Sequence, residues 1–206
     1  MASDSFCFGR WFSVILLPIT LFLVACQDAK VHILVFNSTD YSYTVSDSEG
    51  EHTVGPRQRL FSSIKRDGSF EVGFPGRTPD HSYSTENSET LKDAESRLFY
   101  YCGDRQGLYL VDETNLYFDP NSQMPKKMPE FKVIAEMKDV DFVPIPSSCV
   151  LEDGEGFYSL PRSPQQVHYR LIRVSPDLSD SEARVALKAK LESWWLKSKE
   201  EVHSTQ

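Results

Sequence analysis

The sequence has few of the features that usually identify an enzyme. Its five histidines are isolated from one another, and no His-x-His or His-Glu-x-x-His spacing places two imidazoles on one metal ion. It also lacks a Gly-x-Ser-x-Gly elbow, a Gly-x-x-x-x-Gly-Lys phosphate loop and a Gly-x-Gly-x-x-Gly dinucleotide motif. We therefore expect no metal and no cofactor, and a non-enzymatic role is favoured. The alternative is a hydrolase whose site is assembled from residues distant in sequence and so leaves no local motif.

Basic residues are also scarce, since 22 Lys and Arg face 30 Asp and Glu, for a formal net charge of −8. A surface this acidic repels nucleic acid and anionic lipid headgroups, because clustered Lys and Arg supply most of the non-specific attraction to phosphate. Nucleic acid is thus not an expected partner. The 40% hydrophobic and 12% aromatic content nevertheless predicts a folded domain and not a disordered acidic chain.

The longest apolar run is too short to span a bilayer. It extends over residues 11–25, follows Arg10 and is interrupted by Pro18, whereas a spanning helix needs about 20 apolar residues. A basic residue followed by a short apolar run is typical of an export signal peptide. An uncleaved anchor, or ordinary cleavage after Ala25, are the alternatives.

The end of this run, Leu23-Val24-Ala25-Cys26, resembles the lipobox of bacterial lipoproteins. The resemblance implies a diacylglyceryl thioether on Cys26, cleavage before that residue and often acylation of the freed amine. Two or three long acyl chains would hold the protein on a membrane permanently. The resemblance thus divides the chain into a signal peptide (1–25), a lipidated tether (26–29) and a folded domain (30–206). It implies that the protein lies on the cell membrane or the outer membrane and faces the periplasm or the exterior. An aspartate directly after the cysteine would resemble an inner-membrane retention signal. This chain has Gln27 at that position, which favours the outer membrane.

Cysteine use fits an exported protein. Of four cysteines, Cys7 would leave with the signal peptide and Cys26 would carry lipid, which leaves Cys102 and Cys149 as an even pair. In an oxidising compartment such a pair favours a disulfide. Two separate buried thiols are the alternative, since sequence alone cannot place the pair within bonding range.

Apolar and polar residues alternate with a period of two along much of the domain, which predicts β-strands. The strands at residues 31–35 and 41–45 are expected to form one hairpin, and those at 60–64 and 70–74 another, around Asp67-Gly68. Further strands are predicted at 98–102, 108–111, 116–118, 131–137, 141–145 and 167–174. The polar residues 75–97 are a candidate boundary between two subdomains.

One helix is predicted, over residues 180–201. Ser179 and Glu182 form a capping-box pattern at its start. Apolar residues recur at three- and four-residue spacing, which gives one face that we expect to pack on the sheet. These residues are Ala183, Leu187, Leu191, Trp194 and Trp195. The predicted fold is therefore mainly β, an antiparallel sheet or β-sandwich with one C-terminal amphipathic helix, and α+β overall.

Clustered aromatic residues give a candidate binding face. Adjacent residues on a strand point to opposite sides, so one member of a pair such as Tyr100-Tyr101 is expected to be exposed. The candidate residues are Tyr100, Tyr101, Tyr117, Trp194 and Trp195. Such a face could hold an envelope protein or a glycan. The alternative is that all five belong to the core.

A second resemblance concerns two short segments. Tyr101-Cys102-Gly103-Asp104 and Gly154-Glu155-Gly156-Phe157-Tyr158 are similar to parts of the membrane-bound lysozyme-inhibitor lipoproteins. The second segment lacks the serine expected before its first glycine. This resemblance implies lysozyme inhibition as an alternative function.

Overall fold

The computed structural model describes residues 30–65, 68–75, 81–84, 96–117, 125–139, 142–152 and 166–204, with side chains up to residue 200. The signal peptide, Cys26 and the tether lie outside these residues, so the lipid anchor stays a prediction. Also outside are residues 153–158, which hold the second lysozyme-inhibitor-like segment, and most of the proposed subdomain boundary at 75–97.

The described residues form twelve strands and one long helix. The first six strands are β1 (Lys30–Asn37), β2 (Tyr43–Asp47), β3 (Gly50–Val54), β4 (Arg59–Lys65), β5 (Ser69–Gly73) and β6 (His81–Ser84). The others are β7 (Ser96–Cys102), β8 (Leu108–Asp112), β9 (Lys132–Glu136), β10 (Phe142–Pro146), β11 (Cys149–Glu152) and β12 (Val167–Arg173), followed by helix α1 (Asp180–Ser204). Short 3-10 helices occupy Thr114–Leu116 and Met137–Asp139. The predicted class, mainly β with one C-terminal helix, is confirmed.

The strands make three four-stranded sheets that pack as layers. The central sheet has the order β10-β7-β1-β4, the outer sheet β3-β2-β5-β6, and the helix-side sheet β11-β12-β8-β9. One apolar cluster lies between the outer and central sheets, a second between the central and helix-side sheets, and a third between the helix-side sheet and α1. The order of layers is therefore outer sheet, central sheet, helix-side sheet and helix.

The inner strands of the central sheet, β1 and β7, are buried on both faces, and β1 shows why. Ile33 and Val35 face the cluster shared with the outer sheet, while Leu34 and Phe36 face the cluster shared with the helix-side sheet. A strand buried on both sides needs a nearly continuous apolar run, which β1 has. Its pairing with β7 is parallel and its pairing with β4 antiparallel.

Both predicted hairpins are wrong, although the strands themselves exist. β1 pairs with β4 and β7, while β2 pairs with β3 and β5. Similarly, β4 lies in the central sheet and β5 in the outer sheet. A tight hairpin joins β2 to β3, where the Asp47 carboxylate accepts hydrogen bonds from the backbone N–H groups of Glu49 and Gly50 at 2.7 and 3.1 Å. Period-two alternation locates strands but does not choose their partners.

The predicted helix and its apolar face are confirmed, and the bond of the capping box from Ser179 N–H to Glu182 forms. The Ser179 backbone N–H donates to Glu182 Oε2 at 2.9 Å, as the capping box requires. The five residues predicted to face the sheet are all buried, and they pack against β8 and β12. Among the residues that the structure describes, no helix has the length and apolar character needed to cross a membrane.

The predicted disulfide does not form, and each cysteine is a free, buried thiol. Cys102 faces the outer-sheet side of the central sheet, among the residues packed around Phe70. Cys149 lies in the cluster on the opposite side of that sheet. A layer of backbone and side chains separates the two sulfur atoms, so the even number of cysteines was a misleading signal.

These thiols are expected to be unreactive in the folded protein. Burial raises the pKa of Cys102 and of Cys149 to about 12, so only about one thiol in 10⁴ is ionised at pH 8. We expect no labelling by a thiol reagent at pH 8 under native conditions, and labelling of both in denaturant without reductant. Ser148→Cys, an exposed neighbour of Cys149, is the matched control and should react at once. Denatured protein that shows no reactive thiol at either position would reinstate the disulfide.

A candidate binding cleft and a buried polar network

A cleft of about 530 Å³ opens at the end of the domain where β1 and β7 finish. It lies between the central sheet, the helix-side sheet and α1, and the loop after β1 forms one rim. Its lining comprises Phe36, Ser38, Thr39, Asp40, Tyr41, Arg57, Tyr101, Asp104, Leu108, Leu171, Ile172, Arg173, Lys190 and Trp194. These residues come from separate parts of the chain that only the folded layers bring together.

Asn37, the last residue of β1, organises the first rim. Its buried side-chain Nδ2 donates to the backbone carbonyls of Tyr41, Val54 and Gly55 at 2.7, 3.1 and 2.9 Å. Its Oδ1 accepts from the backbone N–H and the hydroxyl of Thr39 at 2.9 and 2.8 Å. One amide therefore ties residues 38–41 to the turn after β3, which fixes the shape of this rim.

The rim is also joined to β7. Ser38 Oγ donates to the Tyr101 hydroxyl at 2.6 Å, and the Ser38 backbone N–H donates to the carbonyl of Cys102 at 3.0 Å. Gly103 follows with a φ of 155°, and a Cβ there would lie 2.4 Å from Ser38 Oγ. Only glycine permits this close approach of β7 to the rim.

The charged groups on the cleft form two exposed pairs. Arg57 Nη2 lies 3.2 Å from Asp40 Oδ1 on the first rim. On the other side, Arg173 Nη1 lies 3.2 Å from Asp104 Oδ2 and donates to the carbonyl of Gln106 at 2.6 Å. The adjoining Lys190 Nζ donates to the carbonyl of Arg173 at 3.3 Å and lies 5.5 Å from the centroid of the Trp194 ring. Both rims thus present hydrogen-bonding groups of both charges.

The predicted aromatic face is not formed. All five residues are buried, with exposures of 2% for Tyr100, 5% for Tyr101, 5% for Tyr117, 6% for Trp194 and 3% for Trp195. They divide among three clusters, because a strand between two layers buries both of its faces. Tyr101 and Trp194 do reach the cleft lining, whereas the other three do not.

Sequence reasoning missed most of the cleft. The period-two pattern predicted that Tyr41 lies on a strand. It lies instead on the first rim, where it is 67% exposed. Asp40, Arg57, Asp104 and Arg173 are ordinary surface residue types in unrelated segments. The polar turn at residues 37–40 was the one local signal near this site, and it did not identify a cleft.

A second group of functional residue types lies buried beside the cleft. Arg170 and Glu113 are both 0% exposed, and Arg170 Nε lies 3.0 and 2.8 Å from the two carboxylate oxygens of Glu113. The Tyr117 hydroxyl donates to Glu113 Oε1 at 2.9 Å, and Arg170 Nη2 lies 3.2 Å from that hydroxyl. The Arg170 guanidinium carbon is 5.5 Å from the Trp194 ring centroid, so Trp194 touches both this network and the cleft lining.

His168 extends the network towards β11. Its ring stacks on Tyr117 with centroids 4.0 Å apart, and its Nδ1 lies 3.1 Å from Glu152 Oε1. Its backbone N–H donates to the hydroxyl of Thr114 at 2.9 Å. Within the part of the chain that the structure describes, His168 Nε2 and Trp195 Nε1 are buried and have no hydrogen-bond partner.

The ionisation of the network follows from its burial. Burial raises the pKa of Glu113, while the hydrogen bonds and positive charge of Arg170 partly offset that rise. Burial also lowers the pKa of Arg170, but Glu113 raises it by more, so its guanidinium stays charged. Burial and the neighbouring Glu113 carboxylate together raise the pKa of Tyr117, which stays neutral. The result is one buried ion pair with a neutral phenol, which joins Arg170 of β12 to Glu113 at the end of β8.

The buried network and the cleft differ in their access to solvent. Glu113 and Arg170 are fully buried and lie outside the lining of the cleft, while the carboxylates on the cleft, Asp40 and Asp104, are exposed and paired with arginines. Among the described residues, no three His, Cys, Asp or Glu side chains are placed to hold a metal ion. The hydrogen-bonding groups and aromatic side chains of the cleft are suited to binding.

Known proteins offer no guide to the ligand. Comparison with models of known protein families, with characterised proteins and with solved structures gave no match to this chain.

Proposed function

We propose that this chain is a lipid-anchored protein of the bacterial envelope that binds an envelope protein or glycan in its cleft and catalyses no reaction. The observation that carries the proposal is the position of the cleft. The described domain begins at Lys30, four residues after Cys26, whereas the cleft lies at the other end of the same eight-residue strand. With about 3.3 Å per residue, the two ends of β1 are about 23 Å apart. An anchor on Cys26 would hold one end at the membrane and leave the cleft facing away from it.

The composition of the cleft supports binding. Tyr, Trp and Arg are the residue types that contribute most to interfaces, and the cleft contains Tyr41, Trp194 and Arg173. Its volume of about 530 Å³ lies within the range of sites that hold small molecules or single side chains. The Asn37 hydrogen bonds hold the first rim in place before a ligand arrives, which reduces the entropy lost on binding.

Site-specific photocrosslinking in the native envelope tests this proposal. A photoreactive residue in place of Tyr41, which is 67% exposed, should capture a partner. The matched control is Val185, which is 70% exposed on α1 and lies outside the cleft. We expect an adduct from position 41 only, and digestion with protease or with a peptidoglycan hydrolase should show whether the partner is protein or glycan.

Charge reversal at Arg173 then distinguishes specific binding in the cleft from non-specific crosslinking. Arg173→Glu should remove the adduct because it breaks the pair with Asp104 and reverses the charge of the rim. Lys188→Glu makes the same charge change on an exposed part of α1 and should leave the adduct unchanged. Equal adducts at positions 41 and 185, or an adduct indifferent to Arg173→Glu, would contradict binding in the cleft.

Lysozyme inhibition is a second candidate, favoured by one observation. Tyr101 and Asp104, from the first segment that resembles lysozyme-inhibitor lipoproteins, both line the cleft. If lysozyme is the partner, the protein at micromolar concentration should slow the lysis of bacterial cell walls. Asp104→Ala should weaken that effect, whereas exposed Asp177→Ala should not. Lysis at an unchanged rate would eliminate this candidate.

A further inference from the structure

The end of the central sheet at Lys30 carries a group of basic residues around an exposed aromatic ring. Strand register places Lys30 opposite Lys65, His32 opposite Ser63 and Leu34 opposite Phe61. Residues spaced by two lie on one face, so Lys30, His32, Phe61 and Lys65 share a face of the sheet. On this face Phe61, on the edge strand β4, is 65% exposed, whereas most large apolar side chains of the described residues are buried.

Arg97 of β7 completes the group. Register places it beside His32, and its guanidinium carbon lies 5.6 Å from the centroid of the Phe61 ring. Its Nη2 also donates to the carbonyl of Cys149 at 3.0 Å, which holds the side chain in place. We call Lys30, His32, Phe61, Lys65 and Arg97 the basic patch.

The patch departs from the charge of the rest of the molecule. The chain as a whole carries a formal charge of −8, yet the patch combines two lysines and an arginine with a histidine. Among the residues that the structure describes, Lys30 is paired with Glu49, whose Oε1 lies 3.7 Å from Lys30 Nζ, and both of these side chains are half exposed or more. An exposed pair of this kind is weak and exchanges readily for another anion.

The length of chain before the described domain brings this patch close to the proposed anchor. Lys30 follows Cys26 by four positions, and four fully extended peptide steps reach about 14 Å at most. An acylated Cys26 lies at the membrane surface, so Lys30 would lie within that distance of the lipid headgroups.

We propose that the basic patch lies directly against anionic phospholipid headgroups and sets the orientation of the domain on the membrane. The inference rests on the lipid anchor that the proposed function contains. Lysine and arginine side chains are attracted to an anionic surface over a short range, and an exposed phenylalanine partitions into the interface between headgroups and acyl chains. The acyl chains supply the attachment, and the patch selects which side of the domain faces the lipid. The acidic chain as a whole is expected to be repelled by anionic headgroups. The basic patch is the exception, and it lies at the end of the domain that the anchor holds next to the headgroups.

Fluorescence of the full-length, lipidated protein in vesicles tests this orientation. An environment-sensitive dye is attached to Phe61→Cys, or to Tyr41→Cys on the cleft as the control; the native Cys102 and Cys149 are buried. Vesicles of phosphatidylcholine alone are compared with vesicles that also contain phosphatidylglycerol. We expect a blue shift and quenching by headgroup nitroxides at position 61, several-fold stronger with phosphatidylglycerol, and no change at position 41.

Two charge variants complete the experiment. Lys30→Glu with Lys65→Glu should abolish the phosphatidylglycerol effect at position 61, whereas Lys188→Glu with Lys197→Glu, the same change on exposed positions of α1, should preserve it. Flotation with vesicles and the acyl mass on Cys26 report the anchor separately. If the protein floats but position 61 gives no response, or responds no more than position 41, the orientation is refuted while the anchor stands. If the protein carries no acyl mass and does not float, both proposals fall.

Discussion

Arg170→Met should lower the free energy of unfolding by about 3–5 kcal/mol, the typical effect of leaving one member of a buried ion pair without its partner. Glu113 is 0% exposed, and both of its carboxylate oxygens lie within 3.0 Å of Arg170 Nε. Removal of the guanidinium leaves the Tyr117 hydroxyl as the remaining donor described for that carboxylate. Urea unfolding of the purified protein measures the change.

The loss should also depend on pH in a defined direction. Burial already raises the pKa of Glu113 in the native protein, and loss of the positive charge raises it further. A carboxyl group whose pKa is raised by folding contributes stability that is fully present below its unfolded pKa and is lost as pH rises through its folded pKa. The difference in stability between wild type and Arg170→Met should therefore be smaller near pH 5 than near pH 8.

A double variant shows whether the unpaired charge is the cause. Glu113→Gln with Arg170→Met removes both charges of this pair, while the glutamine oxygen still accepts from Tyr117. It should recover most of the lost stability, because a buried pair is costly to break and nearly neutral to replace. Single and double variants of equal stability would show that the loss comes from packing and not from the charge.

Asn37→Asp is expected to have the next largest effect, about 3 kcal/mol or more. The substitution keeps the shape of the side chain but replaces Nδ2, a donor to three carbonyl oxygens at 2.7–3.1 Å, with an oxygen that repels them. The new carboxylate is also fully buried. Thermal unfolding should therefore show a marked fall in Tm.

The consequence for the cleft can be measured in the same variant. Residues 38–41 lose the amide that ties them to the turn after β3, so crosslinking from Tyr41 should fall together with stability. Asn115→Asp is the matched control, since Asn115 is exposed, and it should leave both quantities nearly unchanged. Equal effects at the two positions would show that Asn37 does not hold the rim.

The helix and the positions of most strands were predictable because their signals are local. The three- and four-residue spacing of apolar side chains in α1, together with Ser179 and Glu182, lies within one continuous segment. Strand pairing was not predictable in the same way. β1 lies between β4 and β7, which come from later in the chain, and nothing in the alternation of β1 encodes those partners.

The layered architecture accounts for the errors about the site. On a strand with one side facing solvent, one of two adjacent aromatic residues is exposed. At Tyr100 and Tyr101, however, both sides of β7 are covered by other layers, so both residues are buried. Glu113 and Arg170 are charged residue types that are usually at the surface, yet their pairing across β12 and the loop after β8 allows both to be buried. The cleft is assembled from distant segments, so its position depends on pairings that the sequence pattern does not contain.

The proposed function depends on the lipid anchor, and measurement of the intact mass tests for that anchor directly. The protein is purified from the membranes of a bacterial host that processes lipoproteins, next to a Cys26→Ser variant. We predict that the wild-type protein begins at Cys26, carries the mass of two or three acyl chains on that residue and fractionates with membranes. We also predict that Cys26→Ser is neither acylated nor retained there. A wild-type protein that has an unmodified Cys26 and fractionates as the serine variant does would contradict the lipid anchor.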